Sequence, residues 1–251
     1  MDLGLKGKCA IIVGGSKGLG KATALQLAEE GAHLAICARG EAALRATETE
    51  LRQKGVKAFA QVCDVGKPAE LNAFLEAARA ALGGVDILIN NASAFSFPDD
   101  EAGWAASINV DLLAAVRASR TVIPWMTERG GGSIVHMSSI AGREGGFPPS
   151  YAAVKAALIS HSKTLAVSLA PKRIRVNVVA PGAIEWDGGL WAKAKRENRP
   201  FYDMAVGRIP WGRMGTAEEV ASVVTFLVSP RASWIAGACV PVDGAEYKGN
   251  L

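Results

Sequence analysis

Tyr151 and Lys155 stand four residues apart in Ser150-Tyr-Ala-Ala-Val-Lys155, the spacing that brings two side chains onto one face of a helix. A phenol is a poor proton donor or acceptor near neutral pH, and a fixed cation beside it favours the phenolate, so the pair makes a tunable acid or base. Tyr-x-x-x-Lys also recurs on helices by chance, and its meaning depends on its company. Upstream, the apolar run Ile134 to Met137 ends in Ser138 and Ser139, and a loop broken by Gly and Pro leads into the helix. One of these hydroxyls can stabilise a developing oxyanion.

Positioning such groups requires a scaffold, and the alternation of apolar runs supplies one. Strand-like segments occur at Cys9 to Val13, His33 to Cys37, Lys57 to Gln61, Val85 to Ile89, Ser133 to Met137, Arg175 to Val179 and Cys239 to Val242, with six helical patterns between them. Runs that are apolar on both faces and separated by helix-length segments predict a parallel sheet covered on both sides, a doubly wound Rossmann-type α/β fold. Ligands of such sheets bind beyond the carboxyl ends of the strands.

Composition agrees with one well-packed α/β domain over residues 1–251: 49% hydrophobic, 21% charged, 28 glycines. A net charge of +4, with Lys and Arg scattered among acids, gives no nucleic-acid footprint. Cys9, Cys37, Cys63 and Cys239 lie in or beside apolar runs without metal-ligand spacing, and no metal is expected. There is no stretch of 18 apolar residues, so a soluble cytoplasmic protein without membrane contact is expected.

Gly14-Gly15-Ser16-Lys17-Gly18-Leu19-Gly20 follows the first strand and runs into a helix. Glycines permit close approach of a pyrophosphate, and the helix amino terminus offers N–H groups and a favourable dipole. The spacing is G-x-x-x-G-x-G, distinct from the usual G-x-G-x-x-G fingerprint. After the second strand an acid would hold the ribose hydroxyls of NAD; here Cys37-Ala38-Arg39 places a guanidinium instead. Arg39, with Lys17, suits a 2′-phosphate, which indicates NADP(H). Asp64 and Val65 end the third strand, where the acid can accept from an adenine amino group. Asn90-Asn91-Ala92-Ser93 ends the fourth, small enough to pass close to the adenosine, with Asn side chains able to tie strand ends together.

With these motifs in hand, the chain resembles the short-chain dehydrogenase/reductase family, in its single-domain branch that includes 3-oxoacyl carrier-protein reductases. The resemblance is carried by Gly14-x3-Gly18-x-Gly20, Asn90-Asn91-Ala92, Asn109, the serine pair, Tyr151-x3-Lys155, Pro181-Gly182 and Val242-Asp243-Gly244. It implies that Tyr151 is the general acid/base, that Lys155 holds the nicotinamide ribose and acidifies the tyrosine, that the serine bonds the substrate oxygen, and that Asn109 holds a proton-relay water. It further implies cofactor contacts from Ser16, Leu19, Pro181, Gly182 and Ile184, and a homotetramer.

The chain departs from the family pattern at four places. Val13 replaces a usual Thr, and Ser93 a usual Gly. The serine followed by x-x-Gly is Ser139, whereas the usual distance to the tyrosine selects Ser138; we assign Ser139 and infer a one-residue deletion in the loop, since adjacent strand residues face opposite sides. Glu185-Trp186 stands where the family often has a cofactor-contacting Thr. Residues 184–211 read as a long irregular lid. Trp186, Trp191, Phe201, Tyr202 and Trp211 in it, with Phe95, Phe97 and Phe147, suggest an apolar substrate wall, with Trp186 shaping the pocket instead of holding the cofactor. The lid's Lys193, Lys195, Arg196 and Arg199 are read as a solvated helix face that can also meet an acyl carrier. The resulting expectation is an NADP(H)-dependent oxidoreductase interconverting a ketone and a secondary alcohol; the alternative is a non-catalytic NADPH-binding regulator or scaffold.

Overall fold

The computed structural model describes residues 2–250. Its frame is a parallel sheet in the order β3-β2-β1-β4-β5-β6-β9, built from β1 (Cys9–Val13), β2 (His33–Ala38), β3 (Ala58–Val62), β4 (Ile87–Asn90), β5 (Gly132–Met137), β6 (Ile174–Pro181) and β9 (Cys239–Val242). The chain alternates these strands with α1 (Gly18–Glu29), α2 (Glu41–Gln53), α3 (Pro68–Leu82), α4 (Glu101–Ala106), α5 (Ala114–Glu128), α6 (Pro149–Leu169) and α9 (Ala217–Val228). The expected fold class is therefore the observed one. All seven expected sheet strands occur in place, β1 and β9 with the same bounds.

Strand periodicity explains both layers. Ile11, Val13, Leu88 and Ile134 point to one face and are buried with Phe74 of α3, Val122 of α5 and Ala166 of α6. Ile12, Ile89, Val135 and Val179 point to the other, with Leu27 of α1, Leu51 of α2 and Val224 of α9. Each such Leu, Ile or Phe contributes about 1.5–3 kcal/mol of burial, which fixes register, because a one-residue slip would exchange the two faces. Strand order reverses direction at β1, which has β2 on one side and β4 on the other; the crevice at this switch point is where a doubly wound sheet binds ligands.

The lid is not the irregular segment expected for residues 184–211. It contains β7 (Ile184–Glu185), which pairs with β8 (Gly215–Thr216), and two helices, α7 (Leu190–Glu197) and α8 (Arg199–Gly207). The helices meet at Asn198, whose Oδ1 caps α8 by accepting from Phe201 N–H at 3.3 Å. Pro200, at the first turn, cannot extend the preceding helix but suits the start of a new one. Among the described residues no helix is long and apolar enough to cross a membrane.

Candidate active site

The glycine turn is built for close approach. Gly14 and Gly18 have φ of +86° and +51°, and a β-carbon on Gly14 would stand 3.0 Å from the Ala92 backbone. Gly14 and Gly15 N–H both donate to Cys37 O at 3.1 Å, and Asn91 Nδ2 donates to Gly14 O at 2.7 Å, so β2 and β4 brace the turn from opposite sides. Asn91 thus ties strand ends as expected, whereas Asn90 turns inward, its Nδ2 at 3.1 Å from His136 Nδ1. Helix α1 opens at Lys17 with no side-chain cap and no acid in its first turn, an end suited to an anion. Thr47 of α2 donates to Ser16 O, and Thr23 to Leu19 O.

Arg39 lies two residues past the carbonyl that braces the turn. It is exposed, as is Lys17, and no hydrogen bond or ion pair engages either side chain among the described residues. Asp64 Oδ1 accepts from Gly66 N–H at 3.0 Å, and Val65 is buried in the core beneath. At the far side, Gly182 N–H donates to Val242 O, and Ile184 is buried at the start of β7. These residues fit an extended dinucleotide along the carboxyl ends of β1, β2 and β4, with charge-assisted contacts available at Arg39.

The serine, tyrosine and lysine candidates lie beyond β5. Ser138 is buried, and its Oγ donates to Lys155 O at 2.8 Å; its hydroxyl holds β5 to α6. Ser139 is only half-buried, and its Oγ accepts from Ala141 N–H at 3.2 Å, which leaves its own proton to donate. Gly142 permits the close contact of this turn with α6, since a β-carbon there would lie 2.6 Å from Lys155 C. Tyr151, half-buried, shares one face of α6 with Lys155, whose Nζ stands 5.4 Å from the phenol centroid. Lys155 Nζ donates to Met137 O at 3.0 Å.

Asn109 does not join this group. Its Nδ2 donates to Gly66 O at 2.7 Å and its Oδ1 accepts from Arg117 at 2.8 Å, which spends both ends of the amide on structure. The side chain that reaches Lys155 is the acid two residues on: Asp111 Oδ1 lies 3.1 Å from Lys155 Nζ. The reason is a π-helical turn, Ser107–Leu113, between α4 and α5, whose wider winding re-aims side chains relative to a regular helix.

The substrate side also differs from expectation. Trp191 stacks on Phe201 with centroids 5.3 Å apart, and Tyr202 donates to Glu185 at 2.6 Å; these rings form the lid's own core with Ile209 and Met214. Trp186 lies against the glycine turn, where a β-carbon on Gly18 would be 2.7 Å from its Cε2. It therefore borders the cofactor end. The rings that meet Tyr151 are Phe95 and Phe97, edge-on at 5.6 and 6.3 Å. Phe95 holds φ of +51°, a strained backbone that bulky residues adopt where surroundings enforce it. A cleft of about 440 Å³ beside the lid is lined by Glu144, Arg208, Pro210, Glu246 and Lys248. Burial pushes the Glu246 carboxyl up, although Ala183 N–H donates to it.

The geometry agrees with known proteins over nearly the full chain. A family described as Enoyl-(Acyl carrier protein) reductase matches residues 13–245. The chain is 36% identical to the 3-oxoacyl-(acyl-carrier-protein) reductase FabG of Escherichia coli K12, spanning 98% of this chain and 99% of that one. It is 34% identical to human Dehydrogenase/reductase SDR family member 4, over 96% and 87%. Among solved structures, L-sorbose reductase of Gluconobacter frateurii with NADPH and L-sorbose superposes with a TM-score of 0.93 at 35% identity, covering 99% and 100%. A 7α-hydroxysteroid dehydrogenase with NADH and 7-oxo glycochenodeoxycholic acid superposes at 0.90 and 34%, covering 97% and 96%. Fold, strand order and sequence together establish that this chain belongs to the short-chain dehydrogenase/reductase family of oxidoreductases.

Proposed function

We propose that the protein is an NADP(H)-dependent reductase that interconverts a ketone and a secondary alcohol, with a hydrophobic carbonyl or 3-oxoacyl compound as substrate. The observation that carries this reading is the division of labour at the end of β5: Ser138 is consumed by structure, while Ser139 and Tyr151 keep hydroxyl protons at a half-exposed surface. The nicotinamide supplies or accepts the hydride when bound. Tyr151 donates its proton to the carbonyl oxygen, and Ser139 donates a hydrogen bond to the charge that builds there. Lys155 orients the ribose and keeps positive charge beside the phenol.

Arg39 supports NADP(H), since a free guanidinium at the end of β2 suits a phosphate and no acid stands there to bind ribose hydroxyls. Phe95 and Phe97 support an apolar or flat substrate, because they border the donor itself. Assembly as a homotetramer belongs to the same reading and is checked by light scattering. NADPH and NADH consumption against a panel of ketones and acyl thioesters tests the whole: turnover with NADPH on apolar ketones is expected, and cofactor binding without turnover on any member would favour the regulator reading instead.

A further inference from the structure

The strongest unexplained feature of the site is a buried charge. Asp111 has no exposed side-chain surface and Lys155 only 3%, and a carboxylate so placed persists only when every lone pair is answered. Its three partners come from α6 and from the loop after β4. Lys155 Nζ lies at 3.1 Å on Oδ1, Ser93 Oγ donates to the same oxygen at 2.5 Å, and Ala94 N–H donates to Oδ2 at 2.8 Å. Ser93 occupies the position where the family pattern has glycine, so its hydroxyl and the acid form one local arrangement. Lys155 in turn is the neighbour of Tyr151. The other titratable group close behind is His136 of β5, held neutral at a pKa of about 3 by burial first, then by His161 of α6 and by Lys155.

We propose that Asp111 is a positioning residue of the reaction, a buried carboxylate that fixes Lys155 and offsets the ammonium's field at Tyr151, which keeps the phenol in its proton-donating form for ketone reduction. It rests on the reading of Tyr151 as proton donor. Lys155 Nζ stands 5.4 Å from the Tyr151 ring centroid, within the range where a charge of opposite sign moves a titrating group by about a unit or more; the carboxylate 3.1 Å from that Nζ offsets it, and His136, being neutral, contributes no competing charge. Reduction needs the protonated phenol and oxidation the phenolate, so the carboxylate moves the pH range over which each direction runs without touching substrate.

Asp111→Asn keeps the shape and an oxygen for Lys155 while removing the charge. The alkaline fall of kcat/KM for ketone reduction should then move to lower pH by about one unit. The same displacement should appear in the phenolate absorbance of the cofactor-free protein, taken as the difference from Tyr151→Phe, which is resolvable because the chain has three tyrosines. Ser93→Ala, which removes one hydrogen bond but no charge, should leave the alkaline fall in place. In a Lys155→Met background, where Asp111 stands unpaired, adding Asp111→Asn should raise the melting temperature, an arm that also serves if Asp111→Asn alone does not fold. A uniform loss of rate with the pH profile unmoved, a displacement to higher pH, or an equal displacement in Ser93→Ala would overturn the proposal. If no ketone is reduced yet the phenolate titration moves as expected, the reductase reading fails and the role of Asp111 stands.

Discussion

The cofactor end and the lid end of this molecule are built on opposite principles. At the glycine turn, backbone does most of the work: Cys37 O takes two N–H groups, Asn91 clamps the Gly14 carbonyl, and a β-carbon added at Gly14 or Gly20 would crowd main chain. At the lid, side chains do it: Trp191 stacks on Phe201 and packs against the small core that holds Tyr202, and Glu185 gathers Tyr202 and Lys195. A backbone-built site tolerates few residue types, so its sequence is restrictive. A side-chain-built site can be assembled in many ways, so its aromatic content alone does not tell which rings face the substrate. The lid packs Trp191 and Tyr202 into its own small core, and the Tyr151 phenol is bordered by Phe95 and Phe97 from the loop after β4.

The comparison can be broken by substitution, beginning at the chemistry. Ser139→Ala should lower kcat by about 10²–10³, as for loss of an oxyanion donor, whereas Ser138→Ala, which removes a strand-to-helix bond, should act mainly on melting temperature. Equal losses of kcat would erase the distinction drawn between the two hydroxyls. At the cofactor end, Arg39→Asp should reduce the NADPH over NADH preference by roughly 10- to 150-fold, the worth of a charge-assisted contact. Steady-state kcat/KM for both cofactors measures this, and an unchanged ratio contradicts the assignment.

Trp186 sharpens the boundary between the two regions. Because its indole rests on Gly18, Trp186→Ala should raise the KM for NADPH several-fold and leave the ketone KM nearly unchanged, while Phe97→Ala should do the reverse. Smallest near neutral pH is the effect of His136. Its folded pKa of about 3 lies below the unfolded value near 6.5, so the fold favours the neutral ring. That contribution is complete above about pH 6.5 and is lost progressively as pH falls toward 3. His136→Gln should flatten the fall of melting temperature over this window; an unaltered slope would show that other groups carry it.

These contrasts also explain what was legible in the sequence. The sheet was readable because buried parallel strands are continuous apolar runs, and Ile11 and Ile12 pack on opposite faces whatever the loops do. The turn after the serine pair was legible because Gly142 marks the point that must approach α6. The contact of Asp111 with Lys155 was not legible, because a π-helical turn cannot be seen from spacing. Trp186 was read as a substrate-wall residue because the contact that decides its role is with Gly18, distant in the chain. The two lid helices were masked by Gly189, Asn198 and Pro200, which start and cap them but read as loop residues.

The most direct test of the central claim is Tyr151→Phe, with NADPH binding and ketone turnover measured on the same preparation. Removing one hydroxyl while keeping the ring should abolish turnover and leave the NADPH Kd within a few-fold of the parent protein. Turnover retained at the parent rate would show that Tyr151 is not the proton donor.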